Sequence, residues 1–108
     1  MPTPAECQSL SQVRDQIDHL DEQIVALLGK RAGYVKAAAR FKTSETAVAA
    51  PERLAAMLAV RRQWAEREGL DPDLIEEIFR RLVAWFMQRE LDEWRRSSQA
   101  IHRNPENV

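Results

Sequence analysis

The sequence predicts an all-α fold, and three observations carry that prediction. Leu, Ala, Arg, Glu and Gln dominate a 108-residue chain with three Gly and one Tyr, so strong helix formers outnumber turn and strand formers. Apolar residues recur at helical spacing in three segments, and Pro, Gly and Asp fall in the breaks between them. A chain this short holds one core, which makes residues 1–96 a single helical domain followed by a flexible tail over 97–108. That tail, SSQAIHRNPENV from Ser97 onward, is polar and aperiodic.

The first helix begins at Ser9, an N-cap with Gln12 three residues on. Its stripe of Leu10, Val13, Ile17, Leu20, Ile24, Leu27, Leu28, Val35 and Ala38 carries it to about Phe41. A helix of that length spans roughly 45 to 50 Å, too long for a normal globule of this size. Its apolar stripe therefore needs cover from elsewhere, and the simplest cover is a second copy of the chain. A homodimer of three-helix protomers is the expected architecture.

Residues 42–50, KTSETAVAA, have no convincing period and read as a loop that ends at Pro51, the first residue of a second helix. Leu54, Met57, Leu58, Arg61, Trp64 and Ala65 then repeat until Gly69, a C-terminal stop. Asp71, Pro72 and Asp73 open a third helix with a negatively charged first turn. Ile75, Ile78, Phe79, Leu82, Trp85, Phe86 and Trp94 form its apolar face.

A formal net charge of −1, with both signs dispersed, leaves no basic stripe for nucleic acid and no polybasic membrane patch. The N-terminal MPTPAECQSL lacks the basic start and apolar run of a secretory signal, and no segment approaches the ~18 apolar residues of a membrane span. Cys7 is the one cysteine, compatible with a reducing compartment, so the expected location is cytoplasmic.

The informative residues are charges at positions that should be apolar. Arg31 lies one turn after Leu27 and Leu28 and one turn before Val35, on the stripe to be buried. Lys42 follows eleven residues later, nearly in phase if the helix persists that far. Glu90 stands one turn after Phe86, a carboxyl group at a core position of the third helix. Arg14 is seventeen residues before Arg31, about 25 Å along the helix, so it cannot join Arg31 within one chain. Antiparallel pairing of two long helices would bring it beside Arg31 of a partner.

Each of these charges also admits a structural reading. Arg31 could pair with Glu22, Glu90 or an acid across the dimer; Arg14 beside Asp15 and Asp18 is an ordinary surface residue; and a modest rotation of the third helix would put Glu90 on a rim. His19 and His102 have no second ligand at metal spacing and suggest neither a metal site nor a nucleophile. Trp64, Trp85 and Trp94 read as core and interface packing, and the three scattered glycines form no phosphate loop.

The phrases QVRDQIDHLDEQIVALLGKR, YVKAAARFK, APERLAAML, WAEREGL and WFMQRELDEW resemble the AroQ (type II) chorismate mutase superfamily over nearly the whole chain to about Trp94. An early arginine, a second arginine and a lysine are common to the superfamily. The phrase RFKTSETAVAAPERLAAML resembles its isochorismate pyruvate lyase branch, in loop length and in the helix start Pro51, Glu52 and Arg53. Leu54 and Ala55 stand where mutases usually carry polar contacts to the chorismate ring hydroxyl.

The resemblance implies an intertwined homodimer with shared active sites, a small-molecule substrate, and conversion of isochorismate to salicylate and pyruvate for siderophore synthesis. Chorismate mutase activity is the alternative, and a noncatalytic helical dimer the third reading. Arg14 of the partner chain and Arg31 would bind the two substrate carboxylates. Lys42 would hydrogen-bond the ether oxygen as its bond breaks, and the 42–50 loop would close as a lid. The step is pericyclic, so the resemblance implies no metal, organic cofactor or nucleophile. One departure concerns the fourth contact: Glu90 stands where the family usually has glutamine, although some mutases of the fold carry glutamate there. It can donate to the substrate only when protonated; burial raises its pKa while Arg31 or Lys42 lowers it.

Overall fold

The computed structural model describes residues 1–44, 47 and 50–103, with side chains as far as 97. Among the described residues every regular element is helical: a 3-10 turn at Pro4–Glu6, α1 (Leu10–Ala38), a 3-10 turn at Ala39–Phe41, α2 (Pro51–Arg67) and α3 (Pro72–Arg103). The expected all-α class and three-helix order are both found. The chain divides into two compact units, Met1–Tyr34 and Val35–Val108.

The first unit holds a short capped turn and most of α1. The Thr3 amide and hydroxyl both donate to the Glu6 carboxylate, at 3.2 and 2.7 Å, and close the Pro4–Glu6 turn, a feature not expected from the sequence. Ser9 accepts a hydrogen bond from the Gln12 amide at 3.1 Å, as its N-cap position predicts. Gln12 reaches back one residue further than a standard box, accepting from the Gln8 amide at 2.7 Å. No residue of α1 is buried within the chain. Leu20, Ile24 and Leu27 remain 56%, 54% and 61% exposed.

At its C-terminus α1 tightens into the Ala39–Phe41 turn, and Lys42 is extended (φ −89°, ψ 137°). Tightening of this kind satisfies late carbonyls that have no α-helical partner: the Lys42 amide donates to the Ala39 carbonyl at 3.3 Å. The α-helix therefore does not persist to Lys42, and the condition on which the phase relation between Arg31 and Lys42 was expected is not met.

In the second unit α2 and α3 pack together, and α3 also packs on Ala39–Phe41. Pro51 starts α2 as expected, preceded by Ala50 in the left-handed region (φ 40°, ψ 61°). That conformation costs a non-glycine residue about 1 to 2 kcal/mol. It turns the chain from the loop into the helix. The other end closes as a Schellman motif: Gly69 (φ +72°) donates to the Glu66 carbonyl at 3.1 Å, and Leu70 to that of Ala65 at 2.8 Å. Asp71 then caps α3 by accepting from the Asp73 amide at 2.9 Å.

Between the helices Met57, Leu58 and Ala65 are buried, Leu58 at 4% and Ala65 at 2% exposure. Arg62 bridges to Asp73 (2.9 Å) and Glu76 (3.3 Å), and Arg80 to Glu76 (3.0 Å). These partly solvated pairs fix alignment more than they add stability. Helix α3 continues to Arg103, past Ser97 where the tail was expected to begin. The physical reason is local: no Gly or Pro occurs between Asp73 and Asn104, and extending an existing helix needs no new nucleus. Residues 104–108 lie outside the described residues.

Candidate active site

Phe86, Glu90 and Trp94 recur every four residues along α3 and so share one face. Phe86 and Trp94 are half-buried, and Glu90 is buried at 9% exposure. This is the core position its spacing predicts, not the rim. The Glu90 Oε1 atom is shielded from water and has no hydrogen-bond partner among the described residues. Ionising such a carboxyl is costly, and burial pushes its pKa above the ordinary carboxylate range. The charge of Lys42 pulls the other way without overcoming burial.

Lys42 is half-buried and held at three points. Its amide donates to Ala39 (3.3 Å), its carbonyl accepts from the Trp94 indole (3.1 Å), and its Nζ donates to the Ala47 carbonyl (3.3 Å). The second unit thus brings together two of the expected residues, a lysine donor and a carboxyl group of raised pKa. The remaining two lie in the first unit, on α1: Arg14 is exposed, and Arg31 is half-buried with its Nη1 shielded from solvent. Of the loop expected to act as a lid, residues 45, 46, 48 and 49 lie outside the described residues.

Two residues gain roles that sequence reasoning did not assign. Trp94 was grouped with the packing aromatics, but its N–H is committed to the Lys42 backbone. No local pattern signals a contact across 52 positions. Arg61 was counted on the repeating face of α2, and its guanidinium lies over the rings of Trp64 (4.9 Å) and Phe79 (5.0 Å) while donating to the Met57 carbonyl (3.3 Å). An arginine among apolar residues at helical spacing was the available signal; flat, weakly hydrated guanidinium is the cation suited to such stacking. His19 is exposed, and the side chain of His102 lies outside the described residues.

The type II chorismate mutase family model matches residues 13–91, which include Arg14, Arg31, Lys42 and Glu90. An isochorismate pyruvate lyase of Pseudomonas aeruginosa is 46% identical over 97 residues, covering 90% of this chain and 96% of that protein. T-proteins of Enterobacter agglomerans and Haemophilus influenzae are 43% and 38% identical over 75 and 77 residues. Those alignments cover 68% and 70% of this chain but 20% of each T-protein. The family match spans most of the chain, all of α2 and parts of α1 and α3, and the helical order agrees with it: the chain belongs to the type II chorismate mutase family.

Proposed function

We propose that the protein is an isochorismate pyruvate lyase. The observation that carries this reading is its 46% identity, over nearly the full length of both chains, to a protein of that name. In the proposed reaction the ring C–O bond to the enolpyruvyl group breaks while a ring hydrogen passes to its methylene carbon. Pyruvate leaves and the ring becomes aromatic, giving salicylate. Arg31 and Arg14 of the partner subunit hold the two carboxylates and select the reactive conformer. Lys42 donates to the ether oxygen as charge develops there, and protonated Glu90 donates a further hydrogen bond.

Purified protein given isochorismate should release salicylate, followed by its fluorescence. With chorismate alone, loss of chorismate absorbance would report mutase activity in the same pocket, the second reading, which the family match favours. Prephenate without salicylate would replace the lyase reading by the mutase one, and neither product at any pH would leave a noncatalytic dimer.

The homodimer belongs to the same proposal. Its support is the uncovered stripe of α1 and a core in which, among the described residues, Ala39, Met57, Leu58 and Ala65 are the buried apolar side chains. So small a core falls short of what a chain of this size needs. An open, mainly apolar groove along α3, lined by Ile78, Arg81, Leu82, Trp85 and Phe86, adds a second uncovered surface. Co-refolding Arg14→Ala with Lys42→Ala should restore about a quarter of the parent rate: half the dimers are mixed, and each then holds one complete site. Failure of the mixture to exceed either variant alone would place Arg14 outside a shared site.

No described helix is long and apolar enough to cross a membrane. The single cysteine, Cys7, is half-buried and free, which supports a reducing, cytoplasmic setting.

A further inference from the structure

Trp94 stands one helical turn beyond Glu90, and both side chains leave the same face of α3. Glu90 lies within reach of the Lys42 charge, while the Trp94 indole donates to the Lys42 carbonyl at 3.1 Å. Lys42 is where helical backbone gives way to extended chain. Its N–H is tied to the preceding turn and its C=O to α3. Fixing both groups removes the freedom a residue at the start of a loop would otherwise keep, and so fixes the direction of its Cα–Cβ bond. The long lysine side chain then begins from a set point.

We infer that Trp94 is a positioning residue for Lys42: its indole N–H, through the Lys42 carbonyl, directs the ammonium to the reacting ether oxygen. The inference rests on the lyase reading and adds to it a residue that never touches the substrate. Indole suits the task, because it is a donor only, is rigid, and carries its N–H at the end of a large apolar body. The interaction of Lys42 with the breaking bond matures in the transition state, so losing its alignment lowers kcat more than it raises KM.

The test compares Trp94→Phe with a protein carrying benzothienylalanine at position 94, which keeps the shape of indole but replaces N–H by sulfur. Both should lose about tenfold in kcat for salicylate formation, with KM changed by less than about twofold. Parent-like kcat in the isosteric protein would reduce Trp94 to packing and overturn the inference, whether or not the Phe variant folds. The indole proton of Trp94 should also exchange more slowly than that of Trp64, which is 43% exposed and lies outside the α3 groove; equal rates would overturn the hydrogen bond itself, independently of activity. A parent protein that makes no salicylate overturns the lyase reading and this role with it. An active parent with an unaffected isostere overturns this role alone.

Discussion

Lys42→Ala is expected to lower kcat for salicylate formation by about a thousandfold, roughly 4 kcal/mol, while circular dichroism shows helix content retained. The magnitude follows from what the proposed reaction asks of this residue. As the C–O bond opens, negative charge gathers on the departing oxygen, and a cationic donor in a partly dehydrated position stabilises that charge more than it stabilises the ground state. Lys42 is half-buried and braced through its backbone, so its alignment precedes substrate binding. Its Nζ rests on the Ala47 carbonyl, a neutral acceptor that a substrate oxygen can replace. Retention of more than about a tenth of the parent rate would remove Lys42 from the chemical step.

Activity is expected to fall as pH rises through the Glu90 pKa, by about tenfold per pH unit beyond it, and Glu90→Gln is expected to flatten that limb. The protonated carboxyl donates to substrate, whereas the carboxylate repels the substrate's own carboxylates. Burial raises the Glu90 pKa more than Lys42 lowers it, so the active form persists above the ordinary carboxylate range. Glutamine donates at every pH and has nothing to titrate. An unchanged profile in the Gln variant, measured from about pH 5 to about pH 8, would sink the assignment.

Stability offers a separate readout with a defined sign. In the window between the ordinary carboxylate range and the raised native value, the folded chain holds a proton that the unfolded chain has released. Raising the pH through that window therefore lowers stability, with no further loss from this group above it. Glu90→Gln should remove this dependence, leaving the variant more stable than the parent above the window. Denaturant midpoints at several pH values would measure the difference.

Much of the helical architecture could be read directly from residue types. Ser9, Pro51, Gly69 and Asp71 mark their boundaries through local chemistry: a side-chain acceptor for orphan amides, a ring already set at helical φ, and a glycine free to turn left-handed. Glu90 was legible for a related reason, since an i, i+4 pattern with aromatics implies a shared face. Lys42 was singled out both by phase and by resemblance, and since the α-helix ends at Ala38 its proposed role rests on the resemblance. Ala50 in the left-handed region had no signal at all.

The all-helical class, the order of the three helices and the unusual placement of charges on apolar faces are written in the residues alone, because these depend on neighbours a few positions apart. Tertiary structure decided how the Glu90 carboxyl titrates and what holds Lys42. Desolvation outweighing an opposite charge depends on how α3 packs and on how near Lys42 comes, and neither is encoded in local spacing. The bond from Trp94 to the Lys42 carbonyl exists because α3 packs on the turn that ends α1. An indole that looked like one more apolar residue is in this fold the donor that fixes the backbone of Lys42.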